Sequence, residues 1–254
     1  DQLGNLSKSS IYQANLAEMD WDDGALESAR DRCNAAIEAA RKSGNRFALT
    51  WGKAMLARVL CELGDAASAR EQAEGALAEA RESANLRVEC PALLTQGLLF
   101  LCGAAEDPVG DRLEACARKL GRADTLNEAL AVVAHVELRL GTGPRAGALA
   151  REIVEHSLDK NPRERAIAQS LLAGLEGDED GVHSAIQAAD ATKSIPTAFY
   201  ARLTGAEALL AAHHYATALK ILEDLEPRAR EKGFQGALHQ VGMLRQKAMK
   251  NLTD

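Results

Sequence analysis

The sequence predicts an all-α chain: a right-handed superhelical solenoid of about six helix-turn-helix repeats plus a C-terminal helix, with residues 1–254 forming one domain. Three observations predict it. Turn signals recur at Met19-Asp20, Gly64-Asp65, Gly103-Ala104, Gly141-Thr142, Gly177-Asp178 and His213-His214, in steps of 44, 39, 38, 36 and 36 residues. An Ala-Arg pair recurs at Ala40-Arg41, Ala80-Arg81, Ala117-Arg118 and Ala229-Arg230, and gives steps of 40 and 37 followed by 112, which is close to three periods. The composition is 46% apolar yet only 4% aromatic, with Ala dominant, which suits closely approaching helices and suits strands poorly. A period of this size marks stacked helical hairpins, each burying its apolar face on its neighbours.

Repeat one spans residues 3–44. Its second helix is expected to open at Trp21-Asp22 and to carry Ala25, Ala29, Cys33, Ala36 and Ile37 inward. Repeat two, residues 45–84, shows the pattern most plainly. Leu56, Val59, Leu60 and Leu63 fall at three- and four-residue steps on one helical face, Gly64 supplies the left-handed stop, and Asp65 caps the next helix. Ala69, Ala73, Ala76, Leu77 and Ala80 then form an inner stripe small enough for close approach.

Repeat three covers residues 85–121. Pro91 marks either the start of its first helix or a kink in it, and Asp107-Pro108 reads as cap and first turn of its second. The uncharged run from Pro91 to Ala105 is too short to span a membrane and reads as a buried helix. Were the Leu93 to Leu101 face uncovered, it would offer a surface for a partner or for a second copy in a homodimer.

Repeat four covers residues 122–159. Repeat five opens at Asn161-Pro162, and its second helix follows Gly177-Asp178-Glu179-Asp180, acidic where the helix dipole favours acid. Repeat six runs from Ser194-Ile195-Pro196 to Gly233, with Pro227 expected to kink its second helix. Residues 234–252 form a lone last helix, a cap or half of a seventh repeat. No linker long enough to divide domains is present.

Net charge is −7 with a pI near 5.5 and no basic stripe, which argues against a direct nucleic-acid partner. Cys33, Cys61, Cys90, Cys102 and Cys116 are odd in number and scattered, as expected of free buried thiols in a reducing, cytoplasmic setting. No signal peptide opens the sequence, and a start at Asp1 rather than Met reads as part of a longer protein. No membrane partner is expected.

Leu56-Ala57, Leu60, Gly64-Asp65, Ala69, Ala73 and Ala76 resemble the tetratricopeptide (TPR) repeat in order and spacing, as do Ala206, Leu209, Tyr215, Ala218, Leu222 and Leu225. The resemblance covers nearly the whole chain. The early Trp of the family is mostly absent, its terminal Pro is missing, and the repeats exceed the usual length by a few residues. That longer period, with Trp21-Asp22-Asp23-Gly24-Ala25-Leu26, is similar to the repeats of MalT-like, LuxR-class transcription activators and of multidomain bacterial signalling proteins. The resemblance implies a non-enzymatic docking arm of a cytoplasmic regulator, holding a protein or peptide in a concave groove. Alternatively, it implies a sensor domain for a small-molecule effector such as a sugar.

Catalytic and cofactor chemistry finds no support in the motifs. Gly141-Thr142-Gly143-Pro144-Arg145-Ala146 matches the dinucleotide G-x-G-x-x-A spacing, but Leu130 to Leu140 ahead of it reads as helix where that fingerprint needs a strand. The six histidines show no metal spacing, Asp178-Glu179-Asp180 lacks the remaining ligands of a calcium loop, and no nucleophile has a base at a defined spacing. No enzyme activity, cofactor or metal is expected.

The groove carries the sharper expectation. In the TPR arrangement the first helix of each pair lines the concave face. Counting from the turns places Trp51, Ala54 and Arg58 there in repeat two, and Leu94 and Leu98 in repeat three. Glu128 and His135 follow in repeat four, with Tyr200 and Glu207 in repeat six. Trp51 and Tyr200 would stack on a sugar or aromatic group, and Arg58 would grip a carboxylate.

Overall fold

The computed structural model describes residues 2–157 and 161–253; Asp1, Asp159 and the side chains of Leu3 and Leu252, which bound the expected repeats, lie outside the described residues. Thirteen helices and no strand occur among the described residues. They are α1 (Gln2–Asp22), α2 (Leu26–Ser43), α3 (Arg46–Glu62), α4 (Ala66–Ser83), α5 (Leu86–Leu101), α6 (Gly110–Leu120) and α7 (Ala123–Arg139). The rest are α8 (Gly143–His156), α9 (Pro162–Glu176), α10 (Glu179–Ala191), α11 (Ile195–Ala211), α12 (Tyr215–Lys232) and α13 (Gln235–Thr253).

The turn inside each hairpin is built the same way. At Gly64 the chain turns left-handed (φ 88°), its N–H bonds the carbonyl of Cys61, and the Asp65 N–H bonds that of Leu60. The Asp65 carboxylate then accepts from the Ser68 N–H to open α4. This paired closure satisfies the carbonyls a helix end leaves open. His213 makes the same turn at φ 66° without the glycine that suits it.

The first turn differs from the sequence expectation. α1 continues through Trp21 to Asp22, and the left-handed residue is Gly24 (φ 77°), with the Ala25 N–H on the Asp20 carbonyl. The turn glycines then fall at 24, 64, 103, 141 and 177, so the long first step disappears and the period becomes more regular. Two other expectations shift. Asp107-Pro108 does not begin α6: the Asp107 carboxylate caps the Val109 N–H, Val109 turns left-handed, and the helix starts at Gly110. Pro91 and Pro227 both lie inside continuous helices, α5 and α12, so Pro91 is not a helix start.

By contacts the chain divides into two compact units, residues 1–120 and 121–254. In the first, Ala57, Cys61, Ala69, Ala73, Leu99, Cys102 and Ala104 form one buried cluster at the meeting of α3, α4 and α5. The small side chains of α4 let α3 and α5 close on it. Leu93, Leu94, Leu99 and Leu101 are all buried, so the apolar run of α5 is the centre of this unit and presents no homodimer face. Burying each such leucine contributes about 1.5–3 kcal/mol. All five cysteines are buried thiols outside any disulfide, and burial pushes the Cys33 thiol up to about 12, far from a reactive thiolate.

In the second unit the crossing of α9 and α11 sets the geometry. A Cβ on Gly174 would lie 2.6 Å from the Ala208 methyl, and one on Gly205 would lie 2.3 Å from the Ser170 hydroxyl. Ser170 itself donates to the Ala201 carbonyl at 2.8 Å. Only glycine allows this approach. Because α9 and α11 sit so close, α7 and α11 come into direct contact although a whole hairpin separates them in sequence.

Candidate functional site

Two arrangements of side chains stand out, one in each unit. In the first unit α3 carries Phe47, Trp51 and Arg58 at steps of four and seven, one stripe of the helix. Phe47 is 38% exposed, and its ring centroid lies 5.8 Å from that of the half-buried Trp51, tilted by 56°. Arg58 donates from Nε to the Thr95 hydroxyl at 3.1 Å. That hydroxyl in turn contacts the Pro91 and Ala54 carbonyls at 2.9 and 3.3 Å, so Arg58 is oriented by a buried anchor on α5. The stripe joins aromatic surface to a positioned guanidinium, the pairing that recognises an apolar or aromatic group beside a carboxylate.

In the second unit α7, α11 and α13 meet in a buried polar network. Glu207 has no solvent exposure and His135 only 3%. Arg139 donates from Nε to one Glu207 oxygen at 2.6 Å, and His135 Nε2 lies 3.1 Å from the other. Thr204 Oγ1 lies 3.2 Å from His135 Nδ1, and Arg139 Nη2 reaches Gln240 Oε1 at 3.3 Å.

The chemistry of the partners fixes the protons. Burial lifts the Glu207 carboxyl, but the bonds from His135 and Arg139 and the neighbouring positive charge outweigh it and hold it at about 2. A carboxylate only accepts, so His135 carries its proton on Nε2, and Nδ1 accepts from the Thr204 hydroxyl. Burial pushes the imidazolium of His135 down, so the ring is neutral at neutral pH and Arg139 is the counter-charge of Glu207.

The residues expected in a groove are thus placed differently in the two units. Trp51 and Arg58 are half-buried on the accessible stripe of α3, while Ala54, Leu94 and Leu98 are buried inside the first unit at 1%, 1% and 9% exposure. In the second unit Glu128 and Tyr200 are half-buried, and the structure joins His135 to Glu207 directly, sealed from solvent rather than lining open surface. Sequence reasoning missed Phe47, one turn before Trp51 and visible on a helical wheel. It also missed Arg139, four residues after His135, whose i+4 spacing was available as a signal. Thr204 and Gln240 have no such mark. Arg202 was missed too: buried on α11, it bonds Asp190 with two nitrogens at 2.7 and 2.8 Å and Asp224 at 3.2 Å, and its bonds hold the Asp190 carboxyl below its ordinary range.

No group of three or more His, Cys, Asp or Glu among the described residues could hold a metal ion. No described helix is long and apolar enough to cross a membrane.

No protein-family model and no curated protein sequence matches the chain. Solved structures do match. A Rap protein complexed with competence and sporulation factor aligns with 93% of this chain at a TM-score of 0.75 and 13% identity. The chain spans 66% of that protein's length. The TPR2AB-domain:pHSP90-complex of yeast Sti1 aligns with 92% of this chain and 99% of its own at 18% identity, with a TM-score of only 0.30. Neither structure is a MalT-type regulator. In fold, the chain is a helical repeat of the tetratricopeptide type.

Proposed function

We propose that the chain is a non-catalytic docking module of a cytoplasmic bacterial signalling or transcription regulator, and that the α3 face of its first unit holds a peptide or protein segment. The observation that carries this is the stripe of Phe47, Trp51 and Arg58, where accessible aromatic surface shares a helix face with a guanidinium oriented by Thr95. The corresponding positions of the second unit are closed by the His135–Glu207–Arg139 network. The Rap protein that shares the fold is complexed with competence and sporulation factor, a precedent for a docked partner on this kind of scaffold. The polar chemistry present supports a non-catalytic role. The cysteines are buried thiols, Ser170 is committed to a carbonyl, and His135 is enclosed.

A library of displayed random peptides selected on the immobilised protein tests this reading. Selected peptides should combine an apolar or aromatic residue with an acidic one, and should lose roughly tenfold or more in affinity on Phe47→Ser or Arg58→Glu. Phe47→Ser should melt close to wild type, since Phe47 is exposed, and a melt of Arg58→Glu checks that this variant is folded. Selected peptides that bind both variants as they bind wild type would refute the assignment of this face. The Phe47–Trp51 pair would also stack on a sugar ring. A sugar that raises the melting temperature and displaces the peptides would favour the sensor reading instead.

A further inference from the structure

We propose that a cleft at the α8–α9 edge of the second unit is a separate binding site for a peptide segment in which an aliphatic side chain is flanked by an acidic and a basic residue. The cleft has a volume of about 430 Å³, within the range of ligand sites. Leu138, Pro144, Leu172 and Leu175 give it an apolar floor, and Arg151 and Glu176 stand among its lining residues.

Two independent features mark it as more than a packing defect. The first is Gly147, with Gly143 one turn before it on α8. A glycine within a helix costs about 0.5–1 kcal/mol relative to Ala. At Gly174 and Gly205 close packing explains that cost, since a Cβ would collide. At Gly147, inside α8, it does not: a Cβ would sit 3.4 Å from one Leu175 methyl, ordinary contact, and would meet nothing else, while one on Gly143, the first residue of α8, would sit 3.7 Å from the other. What a methyl would occupy there is the cleft itself. Glycine at these two positions keeps the space open and lets a ligand approach the α8 backbone.

The second feature is charge. Arg151 and Glu176 line the same cleft, yet neither makes an ion pair or hydrogen bond with a described residue or with the other. Several other surface arginines are paired within one turn, as Arg118 with Glu114, Arg228 with Asp224 and Arg230 with Glu226. A ligand that satisfies the cleft therefore brings a carboxylate for Arg151, a cation for Glu176 and an aliphatic group for the leucine floor. A tripeptide stretch supplies all three. Leu140, next in the chain to Gly141 of the cleft lining, is 52% exposed and adds apolar surface beside it.

The probes are the acetylated, amidated tripeptides Asp-Leu-Lys and Lys-Leu-Asp, with Asp-Gly-Lys as control, titrated into the full chain and followed by the backbone amide resonances of Gly143 and Gly147. One of the two leucine peptides should produce saturable shifts there at millimolar concentration, with the glycine control roughly tenfold weaker or more. Gly147→Ala should melt at or above the wild-type temperature and bind roughly tenfold more weakly. The double exchange Arg151→Glu with Glu176→Arg should reverse the preference between the two peptide orders. The proposal is overturned if neither leucine peptide shifts these amides, if the glycine control binds as well, if Gly147→Ala binds like wild type, or if the charge exchange leaves the preference unchanged. Phe47 and Arg58 belong to the other unit, so failure of the α3 docking face would leave this result intact, and the reverse holds too.

Discussion

Replacing Glu207 with Leu tests whether the second unit is held by its buried network. Glu207 has no exposure and accepts from Arg139 at 2.6 Å and from His135 at 3.1 Å. Leucine fills similar space but removes both acceptors. It leaves the His135 N–H buried without a partner and takes the carboxylate acceptor from Arg139, whose side chain is 17% exposed. An orphaned buried donor costs about 1–3 kcal/mol, and removing one member of a buried ion pair costs about 3–5 kcal/mol in all. At about 2–4 °C per kcal/mol for a chain of this size, the melting temperature should fall by about 6–20 °C. Circular dichroism melts at pH 7 measure it. The companion is the triple variant His135→Leu, Arg139→Met, Glu207→Leu, which removes donors and acceptor together and should recover most of the loss, since an apolar replacement of a whole network is often neutral. A loss below about 1 kcal/mol in Glu207→Leu, or a triple variant no more stable than the single one, would refute the view that the carboxylate is fixed by unreplaced partners.

The same network predicts a pH dependence. Burial holds the folded His135 below the 6.5 of a free imidazole, so on acidification the unfolded chain takes up a proton there that the folded chain refuses. Stability should therefore fall as pH drops through and below the imidazole range, with a further loss below the ordinary glutamate range, because Glu207 is held at about 2. Melts from pH 7.5 to 5 should show the first decline in wild type and a flatter profile in His135→Gln; equal slopes would remove His135 as its source. Packing at the α9–α11 crossing predicts opposite signs for two glycine replacements. Gly205→Ala pushes a methyl into Ser170 and Val182 and should cost about 1–3 kcal/mol, whereas Gly242→Ala on α13 meets nothing within 4 Å and should gain about 0.5–1 kcal/mol. Denaturant midpoints decide it, and equal effects would mean that the close crossing is not limiting.

The fold was legible because its signals are local. Helical periodicity, alanine stripes and left-handed turn glycines each report on a few neighbouring residues. The first turn was misplaced for a local reason as well: Asp20 resembles a cap, and Gly24 was read into a motif instead of being taken as the stop, so α1 appeared one turn too short. Asp107-Pro108 misled in the same way, because its cap closes an irregular turn and Val109, not Pro108, leads into the helix.

The site residues were legible only up to their helical face. Counting from the turns put His135 and Glu207 on inward-facing positions, and the structure does bring them together. What the count could not supply is how far apart the inner helices stand. That distance depends on which residues meet at the α9–α11 crossing, and Gly174, Ser170 and Gly205 are ordinary small residues until they are seen against one another. Their close approach turns two expected surface residues into a buried ion network. On α3 the outcome is the opposite: the close approach at Gly52, where a Cβ would lie 3.0 Å from Ile37, is toward α2, while Phe47, Trp51 and Arg58 keep accessible surface on their own stripe. The same inward helical face is thus closed or open according to the small residues beneath it, and those residues decide where on such a scaffold a ligand has room to dock.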